Sequence, residues 1–128
     1  MKLLLDTCTF LWIASGSRRL SKSAAQFFLD ENNERYCSAS SAWEIGIKHA
    51  LGRLPLPERP EIFIPAVRAA SGIAALPVDE ESALYAARLP NLHTDPFDRM
   101  LVAQAIVHGL TILTPDPQIQ QYPVRVLW

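Results

Sequence analysis

Short apolar runs alternate along this chain with longer segments in which apolar residues recur every three or four positions. A short run bounded by turn residues is typical of a buried strand, and the longer period is typical of an amphipathic helix. The predicted strands are residues 3–5, 35–38, 73–76, 111–114 and 124–127, and the predicted helices are residues 20–29, 41–51, 62–71, 79–89 and 95–108. A further helix is expected to begin near Thr7. Because strands and helices alternate, we predict an α/β fold with a mostly parallel sheet.

Residues typical of helix termini stand at both ends of segment 41–51. Ser41 and Glu44 have the spacing of a capping box, in which the acid reaches back to the first amide of the helix. Gly52 follows the segment, at the position where a left-handed residue often ends a helix. Apolar residues four positions apart predict its apolar face: Trp43, Ile47 and Leu51.

Acidic residues stand at the boundaries of these elements, each beside an apolar run. They are Asp6, Glu44, Asp95, Asp98 and Asp116. A carboxylate is costly to remove from water unless a cation or hydrogen-bond donors receive it. Ligands of a parallel sheet bind beyond the carboxyl ends of its strands, where Asp6 and Asp116 both fall. A divalent ion such as Mg²⁺, which takes oxygen ligands, is the simplest shared receiver of these acids.

Most of these acids also have a purely structural interpretation. Glu44 completes the capping box, Asp95 is a natural N-cap before a proline, and Asp98 suits the first turn of the same helix. Asp116 lies between two prolines and suits a turn. Asp6 is harder to explain in this way, because it directly follows a core strand. Taken singly, these residues leave capping and metal binding both open.

Three other polar residues near these acids have two interpretations each. His93 is either a ligand or base of the site, or a solvent-exposed loop residue. Lys48 lies one turn after Glu44, so it either forms an i,i+4 ion pair or contacts a substrate phosphate. Arg99 follows Asp98 and either contacts a phosphate or pairs with a neighbouring acid. The sequence alone does not choose between these roles.

Composition bounds the class of protein. The chain has 128 residues, 49% of them apolar, which is enough for the core of one domain and argues against disorder. Net charge is −1, yet without the five acids named above eight acidic residues face 12 basic ones, which suits a phosphate-rich substrate. Cys8 and Cys37 have no metal-ligand spacing and are expected to be free thiols. With no apolar run long enough for a signal peptide or membrane span, the chain is expected to be soluble and cytoplasmic.

The order of the motifs along the chain is more specific than any one of them. The motifs are Leu3-Leu4-Leu5-Asp6-Thr7, Ser41-Ala42-Trp43-Glu44-Ile45, His93-Thr94-Asp95-Pro96-Phe97-Asp98-Arg99 with Leu101-Val102-Ala103-Gln104-Ala105, Leu113-Thr114-Pro115-Asp116, and a closing Val126-Leu127-Trp128. In this order they resemble PIN-domain proteins, and specifically the VapC-type toxins of bacterial toxin–antitoxin pairs. The resemblance covers residues 1–128 as a single PIN domain.

This resemblance implies a three-layer α/β/α sandwich around a mostly parallel sheet and a metal-dependent endoribonuclease activity on RNA. It assigns the acidic metal site to Asp6, Glu44, Asp98 and Asp116, with Mg²⁺ or Mn²⁺ as the cofactor. It also implies a small cognate antitoxin and a homodimer as partners. Cys8 departs from the pattern, because many relatives have histidine at that position.

Two other classes of protein compete with this interpretation. A phosphoacceptor receiver has a similar size and an acidic pocket at its strand ends, but it usually needs a lysine at the end of a late strand. The last lysine here is Lys48, so that class is disfavoured. A non-catalytic PIN-fold module that binds RNA or protein is the remaining alternative, and chelator-sensitive cleavage separates it from the enzyme.

Overall fold

All five predicted strands are present and form one sheet. A computed structural model of the chain describes all 128 residues. The strands are β1 (Lys2–Leu5), β2 (Glu34–Ser38), β3 (Ala74–Leu76), β4 (Thr111–Leu113) and β5 (Val126–Leu127). Their order in the sheet is β3-β2-β1-β4-β5, and every neighbouring pair is parallel. The sheet is therefore entirely parallel, and its carboxyl ends share one edge.

Seven helices connect the strands. They are α1 (Thr7–Ser15), α2 (Lys22–Leu29), α3 (Ala39–Ala50), α4 (Pro60–Ser71), α5 (Glu80–Arg88), α6 (Pro96–His108) and α7 (Pro117–Gln120). The short helix α7 is not among the predicted elements, because four residues are too few for a periodic pattern. Neither α6 nor any other helix is both long enough and apolar enough to cross a membrane.

The central strands separate two apolar cores. Leu4 of β1 and Ile112 of β4 belong to a core shared with helices α5, α6 and α7. Leu5 and Leu113, the next residues along the same strands, belong to a core shared with α1, α2, α3 and α4. Successive side chains of a strand point to opposite faces, and both faces of a parallel sheet are covered by helices. The predicted three-layer α/β/α sandwich is thus confirmed.

Helix α3 begins earlier than its sequence suggests, and its buried face is a different one. Its N-cap is Ser38, the last residue of β2, whose side chain accepts from the Ser40 amide at 3.0 Å. The predicted Ser41 capping box is therefore wrong, since Ser41 already lies inside the helix. Glu44 and Ile45 are buried, whereas Trp43 is 67% exposed. Four-residue spacing identified a face of the helix but could not show which face the sheet would cover.

Candidate metal centre

Asp6 is fixed at the junction of β1 and α1. It is the N-cap of α1, and its Oδ1 accepts a hydrogen bond from the Thr9 amide at 2.8 Å. Its other oxygen accepts from the hydroxyl of Thr114, the residue after β4. The side chain is only 4% exposed, so these two donors are its main replacement for lost water. The helix expected near Thr7 is thus present, and Asp6 caps it.

Asp116 is brought to the same edge of the sheet by Thr114. The Asp116 amide donates to Thr114 Oγ1 at 3.0 Å, while the Thr114 hydroxyl donates to Asp6. Asp116 is the N-cap of α7, where its Oδ1 accepts from the Gln118 amide at 2.9 Å. The following proline occupies the first helical position, where a missing N–H costs nothing. The turn role expected for Asp116 and its place at the site are therefore compatible.

Asp95 and Asp98 divide two tasks at the start of α6. Asp95 is the N-cap, with Oδ1 accepting from the amides of Phe97 at 2.9 Å and Asp98 at 3.4 Å. The predicted capping role of Asp95 is thus confirmed. Asp98 lies in the first turn, and its carboxylate contacts His93 rather than its own helix backbone. Asp95 therefore sets the direction in which the helix presents Asp98.

His93 is part of this group of side chains. Its Nε2 lies 2.9 Å from Asp98 Oδ2, and the two side chains are 17% and 15% exposed. One ligand atom each from His93, Asp98 and Asp116 lies within 4.8 Å of the other two. The expectation of a solvent-exposed loop histidine is therefore wrong. No local pattern marks this contact, because it depends on how the loop before α6 folds back.

Glu44 approaches the centre from helix α3 and is held by two partners. Its Oε1 accepts from the Thr7 hydroxyl at 2.7 Å, and its Oε2 forms an ion pair with Lys48. The carboxylate is buried, whereas half of the Lys48 side chain is exposed. The i,i+4 pair expected from the sequence is thus confirmed. Glu44 is not one of the three residues whose ligand atoms converge within 4.8 Å.

Arg99 does not pair with a neighbouring acid, which was one of its two interpretations. Its guanidinium donates instead to backbone carbonyls. The acceptors are Ala86 at 2.9 Å, Leu89 at 3.0 Å, Pro90 at 2.9 Å and His93 at 3.4 Å. These bonds hold the segment that carries His93, so Arg99 acts on the loop.

Burial and neighbouring acids raise the pKa values of several groups at the centre. Burial, opposed by the hydrogen bond from His93 and aided by the charges of Asp95, Glu44 and Asp6, raises the pKa of the Asp98 carboxyl to about 6. Burial also raises the pKa of Asp6, to which Asp116 contributes repulsion. Cys8, beside these groups, has its thiol pKa raised to about 11 by burial and by Asp6. Several buried groups that resist negative charge together favour a bound cation.

The donor set fits a small divalent ion. Two neighbouring ligands of an octahedral ion, each about 2.1 Å from it, are about 3.0 Å apart. His93 Nε2 and Asp98 Oδ2 are separated by 2.9 Å. Asp116 offers a further carboxylate, and each Asp6 oxygen keeps a second lone pair beyond its present hydrogen bond. The carboxylates of Asp98 and Asp116, with Asp6 next to them, therefore suit Mg²⁺ or Mn²⁺, and His93 lies beside them.

The chain is a parallel α/β/α sandwich, and its carboxylates gather at the carboxyl edge of the sheet. Proteins of this class bind their ligands at that edge. The sequence matches the model of the PIN domain over residues 3–124, so the chain belongs to the PIN-domain family. PIN domains are generally nucleases. No curated protein matches the chain.

Solved structures of similar fold come from bacterial VapBC complexes. A chain of VapBC2 from Rickettsia felis, bound to a DNA fragment from its promoter, has a TM-score of 0.73 at 15% identity, covering 99% of this chain and 98% of that one. A chain of VapBC-1 from nontypeable Haemophilus influenzae gives 0.70 at 19%, covering 99% and 97%. A chain of VapBC-5 from Mycobacterium tuberculosis, a member of the VapBC family of toxin–antitoxin systems, gives 0.60 at 15%, covering 98% and 95%. At these identities the likeness establishes the fold.

Proposed function

We propose that this protein is a metal-dependent endoribonuclease and the toxin of a toxin–antitoxin pair. The observation that carries the proposal is the convergence of Asp98, Asp116 and His93 beside a buried Asp6. Membership of a family of nucleases and a fold shared with VapBC chains support it. RNA is the expected substrate because the motif order resembles VapC-type toxins.

Asp6, Asp98 and Asp116 would hold the ion, and Glu44 would complete or orient the centre from α3. When bound, Mg²⁺ or Mn²⁺ supplies an activated water and offsets charge on the phosphate during hydrolysis. The capped helices α1, α6 and α7 keep the carboxylates in fixed directions before any ligand arrives. Such preorganisation lowers the cost of gathering like charges around one ion.

Lys48 is suited to a role at the substrate side of Glu44. Its ammonium neutralises the buried Glu44 carboxylate, and the hydrogen bond between them raises the pKa of Lys48. The half-exposed side chain keeps further N–H donors free for solvent or for a phosphate of the RNA backbone. Lys48 would thus link the acidic centre to the polyanionic substrate.

An antitoxin is the expected protein partner, and a homodimer is the expected assembly. The chain offers an apolar cavity of about 340 Å³ lined in part by Trp12, Leu54, Pro57 and Phe63. This cavity lies where the proline-containing loop 53–60 passes helix α1, and that loop is a candidate docking surface. Apolar side chains of an antitoxin segment would fill such a cavity.

The proposal is tested by RNA cleavage with the purified chain. We expect cleavage with Mg²⁺ or Mn²⁺, its loss with a chelator, and inhibition by the product of a neighbouring antitoxin gene. Asp6→Asn and Asp98→Asn should each lose most activity, whereas Asp30→Asn, a change at an exposed acid after α2, should keep it. Wild-type rates in either site variant contradict the metal-site assignment. RNA binding without cleavage under all metal conditions would favour the non-catalytic module.

A further inference from the structure

The segment between α5 and α6 is held from two sides. Arg99 donates to the carbonyls of Ala86, Leu89 and Pro90 within 3.0 Å and reaches that of His93 at 3.4 Å. The hydroxyl of the buried Tyr122 lies 3.3 Å from the Pro90 carbonyl and 3.5 Å from that of His93. A planar guanidinium with several fixed donors suits such a task better than a lysine. These contacts tie the backbone of His93 and the segment before it to Arg99 and Tyr122.

The His93 imidazole is placed where a ligand of the centre would be. Its Nε2 is 2.9 Å from Asp98 Oδ2 and within 4.8 Å of a carboxylate oxygen of Asp116. The first distance is that of a hydrogen bond, which coordination of both atoms to one ion would replace, because neighbouring ligands of a small octahedral ion are also about 3.0 Å apart. Two ligands on opposite sides of such an ion are about 4.2 Å apart, so a modest side-chain adjustment closes the group around it.

We propose that His93 is a nitrogen ligand of this metal centre and that it gives the centre a preference for Mn²⁺ over Mg²⁺. The inference rests on the proposed function, because it assigns a ligand to the same centre. Mg²⁺ is bound almost entirely through oxygen, whereas transition-metal ions also accept imidazole. Arg99 is the positioning residue that holds His93 for this purpose.

Calorimetric titration of the metal-free protein with MnCl₂ and MgCl₂ measures the preference. We expect His93→Asn to weaken Mn²⁺ binding by about tenfold or more and to change Mg²⁺ binding by less than about threefold. Asp98→Asn should weaken the binding of both ions. His49→Asn is the matched control, since His49 contacts the Leu54 carbonyl away from the centre. An unchanged ratio of Mn²⁺ to Mg²⁺ affinity in His93→Asn overturns the proposal.

Pulsed electron paramagnetic resonance of the Mn²⁺-loaded protein reads the ligand directly. Modulation from a coordinated ¹⁴N nucleus should be present in the wild type and absent in His93→Asn. Arg99→Lys should weaken this ¹⁴N signal and lower Mn²⁺ affinity, while Mg²⁺ affinity persists. If the Arg99→Lys variant does not fold, Tyr122→Phe takes its place. Absence of the ¹⁴N signal in a wild type that binds Mn²⁺ overturns the assignment of His93 as a ligand and leaves the proposed metal centre standing. A wild type that binds neither ion contradicts the proposed metal centre itself.

Discussion

The hydroxyl of Thr114 donates a hydrogen bond to the carboxylate of Asp6, which joins the residue after β4 to the residue after β1. The same hydroxyl oxygen accepts from the Asp116 amide at 3.0 Å, so one buried side chain links two acids of the centre. The linkage therefore ties the assembly of the site to the pairing of the two central strands.

Thr114→Val should destabilise the fold and weaken the centre. Valine keeps the shape but removes the hydroxyl, leaving Asp6 Oδ2 without its donor and the Asp116 amide without an acceptor. We expect a loss of about 2 kcal/mol in the free energy of unfolding, measured with denaturant, together with weaker Mn²⁺ binding. Thr114→Ser keeps the hydroxyl and should retain most of both. Equal stability of the valine variant and the wild type would count against the linkage.

Lys48 and Glu44 should respond unequally to removal. Lys48→Ala leaves the buried Glu44 carboxylate with only the Thr7 hydroxyl, and we expect a loss of about 1–3 kcal/mol in unfolding free energy. Glu44→Gln can still accept from Thr7 and releases a half-exposed lysine to water, so its cost should stay below about 1 kcal/mol. Denaturant unfolding of both variants at neutral pH measures the difference.

The double variant provides the control for that asymmetry. Adding Glu44→Gln to Lys48→Ala removes the uncompensated charge, so the double variant should be more stable than the Lys48→Ala variant. If the two single changes cost the same and add independently, the ion pair does not neutralise a buried charge in the way described.

Much of the fold could be predicted because its signals are local. The fully apolar residues 3–5 have the pattern of a strand covered on both faces, and they form the central strand β1. Asp95 was expected at a helix start and is an N-cap. The prediction of Ser41 as the N-cap was wrong because Ser38, at the end of β2, caps the helix earlier. Two serines compete for one helix start, and the length of the strand decides between them.

The centre could be predicted only in outline. Asp6 and Asp116 follow strands, and parallel pairing of β1 with β4 places them at one edge. His93 and Arg99 could not be assigned, because their contacts depend on how the segment after α5 folds over the start of α6. Such contacts arise from tertiary structure, which a hydrophobic pattern does not specify.

Two neighbouring residues of α3 test the orientation of that helix. Ile45 is fully buried in the core on one face of the sheet, so Ile45→Ala should cost about 2–5 kcal/mol of unfolding free energy. Trp43 is largely exposed and has an edge-on contact with Phe97, so Trp43→Ala should cost at most about 1.5 kcal/mol. Denaturant unfolding compares them. A larger cost at Trp43 would mean that the predicted apolar face is the buried one.

Asp79 should stabilise the fold in a pH-dependent way. Hydrogen bonds from Ser82 and from His108 lower the pKa of Asp79 below its ordinary value of 3.8. A lowered carboxyl pKa contributes stability that is fully present above the ordinary value and is lost as pH falls through the folded value. Asp79→Asn should therefore have a lower Tm than the wild type at neutral pH, with the gap closing below pH 3.8.

Ser82→Ala is the companion variant for this pH profile. It removes the hydroxyl donor 2.6 Å from Asp79 Oδ1, so the pH dependence of Tm should flatten while the carboxylate remains. A gap between wild type and Asp79→Asn that stays constant into acid would show that the residue acts through shape and not through charge.

We propose that Asp98 and Asp116 hold a divalent cation at the carboxyl edge of the sheet. Anomalous diffraction from crystals grown with MnCl₂ tests it most directly. We predict an anomalous peak between the two carboxylates and next to His93, lost in crystals of Asp98→Asn. An anomalous peak only at another place, or no peak at Mn²⁺ concentrations that saturate the protein in solution, would contradict this metal site.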